Sequence, residues 1–216
     1  MLGRLHVITD TRFGRDPLAL LPVALDAGVD VVQVRVKELG DGAALAVVEA
    51  ALALCSRYGA ACIVDDRLDV AMAAGAHGVH LGADDLPIAR ARAVAGPGLL
   101  IGATVRDPSS ARAAVADGAS YLGTGPAYAT GTKGGLPPPI GVTGVEAVCA
   151  ASDVPVIAIG GVTVDRIATL FAAGAHGVAV VGAVSDAADP GAAARDLVAA
   201  VAGGAAKRAG SGGART

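Results

Sequence analysis

IVDDRLDVAMAAGAHGVHLGADD, residues 63–85, is the stretch whose parsing decides the fold. Two short apolar runs each end in a pair of acids, Asp65-Asp66 and Asp84-Asp85, and DVAMAAGAHG between them reads as a short Ala-rich helix closed by Gly75. If both runs are parallel strands joined by that helix, the acid pairs emerge at the same end of one sheet. Carboxylates at adjacent strand ends are the hard oxygen ligands Mg²⁺ uses when it also holds a phosphate. The bland alternative is helix capping: Asp65 or Asp66 at one N-cap, and Asp84 or Asp85 before Pro87 at the next.

The same cadence recurs along the chain. A helix ending in Ala-Gly or Asp-Gly leads into a β-branched run at DAGVDVVQV from Asp26, AAGAHGVHL from Ala73, ADGASYLGTG from Ala116 and AAGAHGVAVV from Ala172. Further strands are expected at 5–9, 61–64, 99–103 and 154–159. Eight such units in about two hundred residues predict a single (β/α)8 TIM barrel over residues 1–202, with an open doubly wound sheet as the competing arrangement. The last helix is expected from Pro190 to Val201. The stretch 203–216, rich in Gly, Ala and Ser, reads as a disordered tail.

Composition narrows the function. A net charge of −3 and 2% aromatic residues leave neither a basic footprint nor stacking platforms for nucleic acid. Apolar runs are broken well before membrane-spanning length, and the N-terminus has no signal-peptide pattern. Cys55, Cys62 and Cys149 lie among apolar neighbours without metal spacing, which points to free thiols in a reducing cytoplasm. Oligomeric state is not legible.

In a barrel, chemistry collects where strands end. Gln33, Arg35 and Lys37 alternate with Val34 and Val36, so they share the inner face and form a polyanion cradle, or else neutralise Asp65 and Asp66 structurally. The loop GPAYATGTK, 125–133, carries Thr130, Gly131, Thr132 and Lys133 after the sixth strand, suiting phosphate contact through small residues, hydroxyls and one ammonium. Glycines at the seventh and eighth strand ends, Gly160-Gly161 and Val181-Gly182, occupy the usual place for a monophosphate. His77 and His176 precede strands and His6 leads the first strand, so all three read as structural. His80, between Val79 and Leu81, reads as a satisfied core histidine. Two phosphate-binding ends and a metal indicate a transfer in which pyrophosphate leaves.

With QVRVK at 33–37, DDRLDVA at 65–71, GVHLGADDLP at 78–87, GPAYATGTK at 125–133, IGG at 159–161 and VVGA at 180–183, the chain resembles the thiamine phosphate synthases over about Leu5 to Val184. The resemblance implies an enzyme that joins a hydroxymethylpyrimidine diphosphate to a thiazole phosphate, releasing pyrophosphate with Mg²⁺ by a dissociative path. It implies that residues 33–37, including Val34 and Val36, together with Asp65, Thr104 and Lys133, bind the diphosphate substrate. Asp66 and Asp85 would ligate Mg²⁺, and Thr130, Gly131, Thr132, Gly161, Val181 and Gly182 would hold the thiazole phosphate. Lys37, Lys133, Asp66 and Asp85 would be the catalytic set.

Some positions depart from that pattern: Val36 for Glu, Asp65 for Asn, Ala83 for Gln, Thr104 for Ser, Arg106 for His and Gly182 for Ser. Asp65 matters most, because an added anion repels a diphosphate unless it shares the metal or accepts from the pyrimidine amine. A related thiazole tautomerase has no use for Lys37, Asp66, Asp85 and Lys133 together. A silent phosphate-binding regulator has no use for the metal carboxylates.

Overall fold

A computed structural model describes residues 2–212, with side chains described as far as Arg208. Eight parallel strands close into a barrel in sequence order: β1 (Leu5–Ile8), β2 (Val31–Val34), β3 (Ala61–Asp65), β4 (Gly78–Leu81), β5 (Leu100–Val105), β6 (Tyr121–Thr124), β7 (Val156–Ile159) and β8 (Gly177–Val180). Closure is made by β1 on β8, where Leu5 pairs with Val178 and Val7 with Val180. The predicted (β/α)8 barrel is the fold, and the open sheet is excluded.

The helices between strands are α1 (Leu21–Asp26), α2 (Asp41–Tyr58), α3 (Leu68–Ala74), α4 (Ile88–Ala95), α5 (Pro108–Ala116), α6 (Gly141–Ala150) and α7 (Val164–Ala172), then a single turn α8 (Gly182–Ser185) and α9 (Pro190–Gly212). The four helix-ending glycines read from the cadence, Gly28, Gly75, Gly118 and Gly174, all have positive φ, between 68° and 96°. Each turns its helix into the following strand at a backbone conformation that L side chains rarely adopt.

Alternation along the strands separates two cores. Outward residues such as Val32, Val34, Val64 and Val79 pack on Ala44, Val48, Ala51 and Cys55 of α2 and their neighbours. Inward residues Ile8, Val31, Ile63, Tyr121, Ile157 and Ala179 form an apolar plug inside the barrel. The plug needs glycine on two strands. A Cβ on Gly102 would stand 2.5 Å from His80 Nδ1 and collide with the Tyr121 ring, and one on Gly123 would stand 2.7 Å from His80 Cε1. Small residues on β5 and β6 thus admit two large rings from β4 and β6.

Two expectations shift. β5 runs through Val105, so Thr104 belongs to the strand itself and not to the loop after it. The last helix continues past Val201 to Gly212, where a tail was expected. Packing explains the continuation: Gly204 lets the helix approach the Phe171 ring, with a Cβ site 3.2 Å from Phe171 Cγ, and Ala205 joins the same cluster. Tertiary contact overrides the weak helix propensity of a Gly-Gly pair. Residues 213–216 of the expected tail lie outside the described residues.

Gly102→Ala is expected to lower stability by about 3 kcal/mol or to prevent folding, because the core cannot accept the methyl. Gly42→Ala, in open space within α2, should raise stability by ~0.5 kcal/mol. Urea unfolding of both variants checks the contrast.

Candidate active site

The mouth is built where β2, β3 and β4 end. Gln33 and Arg35 reach the inner face, and Asp65 at the end of β3 accepts from both: from Gln33 Nε2 at 2.7 Å and from Arg35 Nη1 at 3.0 Å. Lys37 Nζ donates to Asp66 Oδ2 at 2.9 Å, and Arg35 stands 3.7 Å from the same oxygen. Val34 and Val36 do not join this group. Both side chains are buried in the outer cluster against α2, so the expectation that they contact substrate reduces, at most, to their backbone.

Neither acid pair caps a helix. The N-cap of α3 is Arg67 and that of α4 is Pro87, each without a side-chain cap bond. Asp66 takes a positive φ of 66°, held by its own N–H donating to His80 C=O at 2.8 Å. Such a conformation costs of order 1 kcal/mol or more for a non-glycine residue. It turns the carboxylate toward Lys37. Asp85 Oδ2 accepts from Gly82 N–H at 2.7 Å, which folds the loop after β4 so that its carboxyl meets that of Asp66.

The two carboxyls are driven apart in acidity. Burial and the neighbouring Asp66 push Asp85 above the ordinary carboxylate range. Burial also opposes ionisation of Asp66, but the contact with Asp85 and the charges of Lys37 and Arg35 outweigh it and hold Asp66 below that range. Lys37 is raised by its bond to Asp66. Paired carboxylates in contact invite a cation. Among the described residues no group of three or more His, Cys, Asp or Glu side chains forms a metal cage. Two carboxylates are nevertheless the usual protein share for Mg²⁺, which keeps waters and substrate phosphates as its other ligands.

His80 is satisfied, as its apolar flanks indicate. Nδ1 lies 3.1 Å from the Tyr121 hydroxyl and Nε2 3.0 Å from Thr104 Oγ1, while burial lowers its pKa. It therefore orients Thr104, whose side chain is exposed at the mouth. His77 Nδ1 accepts from Cys62 N–H, and His6 and His176 bond backbone carbonyls near the N-terminus, all at the opposite face.

A second end forms at β6, β7 and β8. Thr132 N–H donates to Thr130 Oγ1 at 3.3 Å, and the two hydroxyls are 3.1 Å apart. A Cβ on Gly182 would lie 3.3 Å from Thr132 Oγ1, and one on Gly161 would lie 2.5 Å from Ala129 C=O. The loop after β6 thus converges on Gly161 and Gly182, with Val181 between strand and turn. Gly131 is exposed with open space around it, and Lys133 is exposed without an ion pair or hydrogen bond among the described residues.

Four arginines with no assigned role in the sequence reading support this end. Arg166 donates to Gly161 C=O at 2.6 Å and stacks 4.3 Å over the Tyr128 ring. Arg106 spans the loop, donating to Gly125 C=O at 3.2 Å and Pro138 C=O at 2.8 Å. Arg12, with Arg15, ties Asp10 after β1 to Asp186 after α8. In sequence Arg106 stands out only as a departure from a family pattern. Arg166 resembles any exposed helix residue, so its backbone bond has no sequence signal.

The family model described as thiamine monophosphate synthase matches residues 5–184. A thiamine-phosphate synthase of Salinispora arenicola is 56% identical over 192 residues, covering 88% of this chain and 92% of that one. One from Methanoculleus marisnigri is 45% identical over 195 residues, covering 89% and 92%. Among solved structures, a thiamine phosphate pyrophosphorylase from Pyrococcus furiosus superposes with a TM-score of 0.85 at 34% identity, covering 93% of this chain and 96% of that one.

The carboxyl pair sets a pH signature. Asp85 has a higher pKa folded than unfolded, so its ionisation disfavours the folded state; the penalty is absent in acid and complete above its folded pKa. In chelator-treated protein at about pH 7, Asp85→Asn should raise unfolding free energy by a few tenths to about 1 kcal/mol, discounted for partial exposure. The gain should vanish below the ordinary carboxylate range. Urea melts across that range check both sign and window.

Proposed function

The chain belongs to the thiamine monophosphate synthase family, and from that membership and the two-ended mouth we propose that it joins a hydroxymethylpyrimidine diphosphate to a thiazole phosphate. The observation that carries this reading is the group Lys37, Asp66 and Asp85, with Arg35 beside it, facing a separate glycine- and threonine-lined end. One end suits a diphosphate with a divalent cation and the other a monophosphate ester.

Asp66 and Asp85 would hold Mg²⁺. When bound there, the ion neutralises charge on the departing pyrophosphate. Arg35 and Lys37 add positive charge from the barrel wall, Thr104 offers a hydroxyl oriented by His80, and the uncommitted Lys133 supplies a mobile ammonium. Thr130, Thr132 and backbone N–H groups at Gly161, Val181 and Gly182 hold the thiazole phosphate and aim the thiazole nitrogen. The pyrimidine C–O bond breaks with its electron pair leaving on pyrophosphate. The thiazole nitrogen lone pair then forms the new C–N bond, and the positive charge passes to the thiazolium.

A cytoplasmic setting belongs to the same proposal. The free cysteines fit a reducing compartment, and among the described residues no helix is long and apolar enough to cross a membrane.

Pyrophosphate release should require both substrates and Mg²⁺ and stop with chelator. Asp66→Ala and Lys133→Ala should each lower kcat/KM by about 10²-fold or more. Thiazole phosphate binding without pyrophosphate release would favour a silent binder, and metal-independent turnover of the thiazole phosphate alone would favour a tautomerase.

A further inference from the structure

We infer that Arg106 is a positioning residue for Lys133: by pinning the return leg of the loop after β6, it sets where the Lys133 ammonium can reach, an assignment that rests on the synthase reading and deepens it.

Arg106 lies two residues beyond Thr104, on the side that leads to the mouth, while Val105 between them packs in an outer cluster. A cation there could serve an anionic substrate. Both terminal guanidinium nitrogens are bound to the backbone instead, Nη1 donating to Gly125 C=O at 3.2 Å and Nη2 to Pro138 C=O at 2.8 Å. Gly125 follows β6 directly, and Pro138 lies on the far side of the loop. Beside them Ile140 N–H donates to Pro126 C=O at 2.9 Å. The planar fork of one arginine thus joins the two legs at their base.

The two legs depend on that pin unequally. The entry leg has anchors of its own: Ala127 N–H donates to Ile159 C=O at 2.7 Å, Tyr128 N–H to Gly160 C=O at 3.0 Å, and the Tyr128 ring lies under Arg166. The return leg has none. Residues 133–139 are all exposed, and among the described residues the bond from Arg106 to Pro138 is the one hydrogen bond that holds them. Pro137, Pro138 and Pro139 carry no N–H, so this stretch can be held only through its carbonyls.

The prolines make the pin effective at a distance. Each fixes its own φ, and each restricts the residue before it, so Leu136 to Pro139 behaves as a short rod. Between rod and Lys133 stand Gly134 and Gly135, the latter at φ 70°, a hinge that only glycine adopts without strain. On the other side of Lys133, Thr132 converges on Gly182. The ammonium is therefore carried between the glycine-lined end and a rod whose direction Arg106 sets. Without the guanidinium the rod pivots about Ile140, and Lys133 spreads over a wider volume at the same charge. A group that must meet a departing pyrophosphate loses rate when its position spreads.

A double-mutant cycle on pyrophosphate release tests this, with Arg106→Met, Lys133→Ala and the pair. Arg106→Met should lower kcat/KM about tenfold in the unaltered background and by less than about twofold in Lys133→Ala. Pro137→Gly, which softens the rod and leaves Arg106 in place, should lower it about threefold and likewise only while Lys133 is present. In ligand-free protein, tryptic cleavage after Lys133 should be roughly tenfold faster in Arg106→Met, with the urea midpoint unchanged. Losses that are as large without Lys133 as with it, or cleavage at the unaltered rate, would overturn the inference and leave the synthase reading intact. No pyrophosphate release from the unaltered protein would overturn both.

Discussion

The mouth of this barrel depends on the contact between Asp66 and Asp85. Two carboxyls meet there at a cost, and every nearby feature acts to hold or offset them. Asp66 is kept at positive φ by a backbone bond to His80, Asp85 by a turn bond to Gly82 N–H, and Lys37 and Arg35 bring balancing charge. The protein maintains an unfavourable like-charge pair in advance, so a divalent cation finds its ligands arranged. Natural sequences accept such local conflicts at functional sites and stabilise them from the surrounding fold.

That surrounding fold is specialised around the same end. Gly102 and Gly123 remove side chains so that Tyr121 and His80 can fill the barrel below the mouth, and His80 in turn orients Thr104. On the far side, Asp10, Arg12, Arg15 and Asp186 bind the first strand's loop to the turn after the last strand, where β1 and β8 complete the barrel. Arg166 and Arg106 hold the β7 and β6 ends by their carbonyl oxygens. The polar framework thus fixes loops, and the apolar plug fixes strands.

The barrel was legible because its signals are local and repeated. Gly28, Gly75, Gly118 and Gly174 announce helix-to-strand turns through a backbone requirement that few other residues meet. Period-two alternation placed Gln33, Arg35 and Lys37 on one face, and it equally sends Val34 and Val36 outward, where their side chains lie. The extent of α9 was not legible, since Gly203-Gly204 reads as a helix breaker until Phe171 is seen against it. Nor were the roles of Arg106 and Arg166, whose partners are backbone carbonyls distant in sequence or hidden by the turn. Asp65 could be recognised as unusual from sequence, but its pairing with both Gln33 and Arg35 shows only in the two bonds it accepts.

If Asp66 and Asp85 form a metal site completed by a diphosphate, binding of the two ligands must be coupled. The most direct measurement is the affinity for inorganic pyrophosphate with and without Mg²⁺, in the unaltered protein and in Asp66→Asn. Mg²⁺ is expected to tighten pyrophosphate binding at least about tenfold, and Asp66→Asn to remove most of this coupling. Equal affinity with and without Mg²⁺, or coupling that survives the substitution, would contradict the assignment.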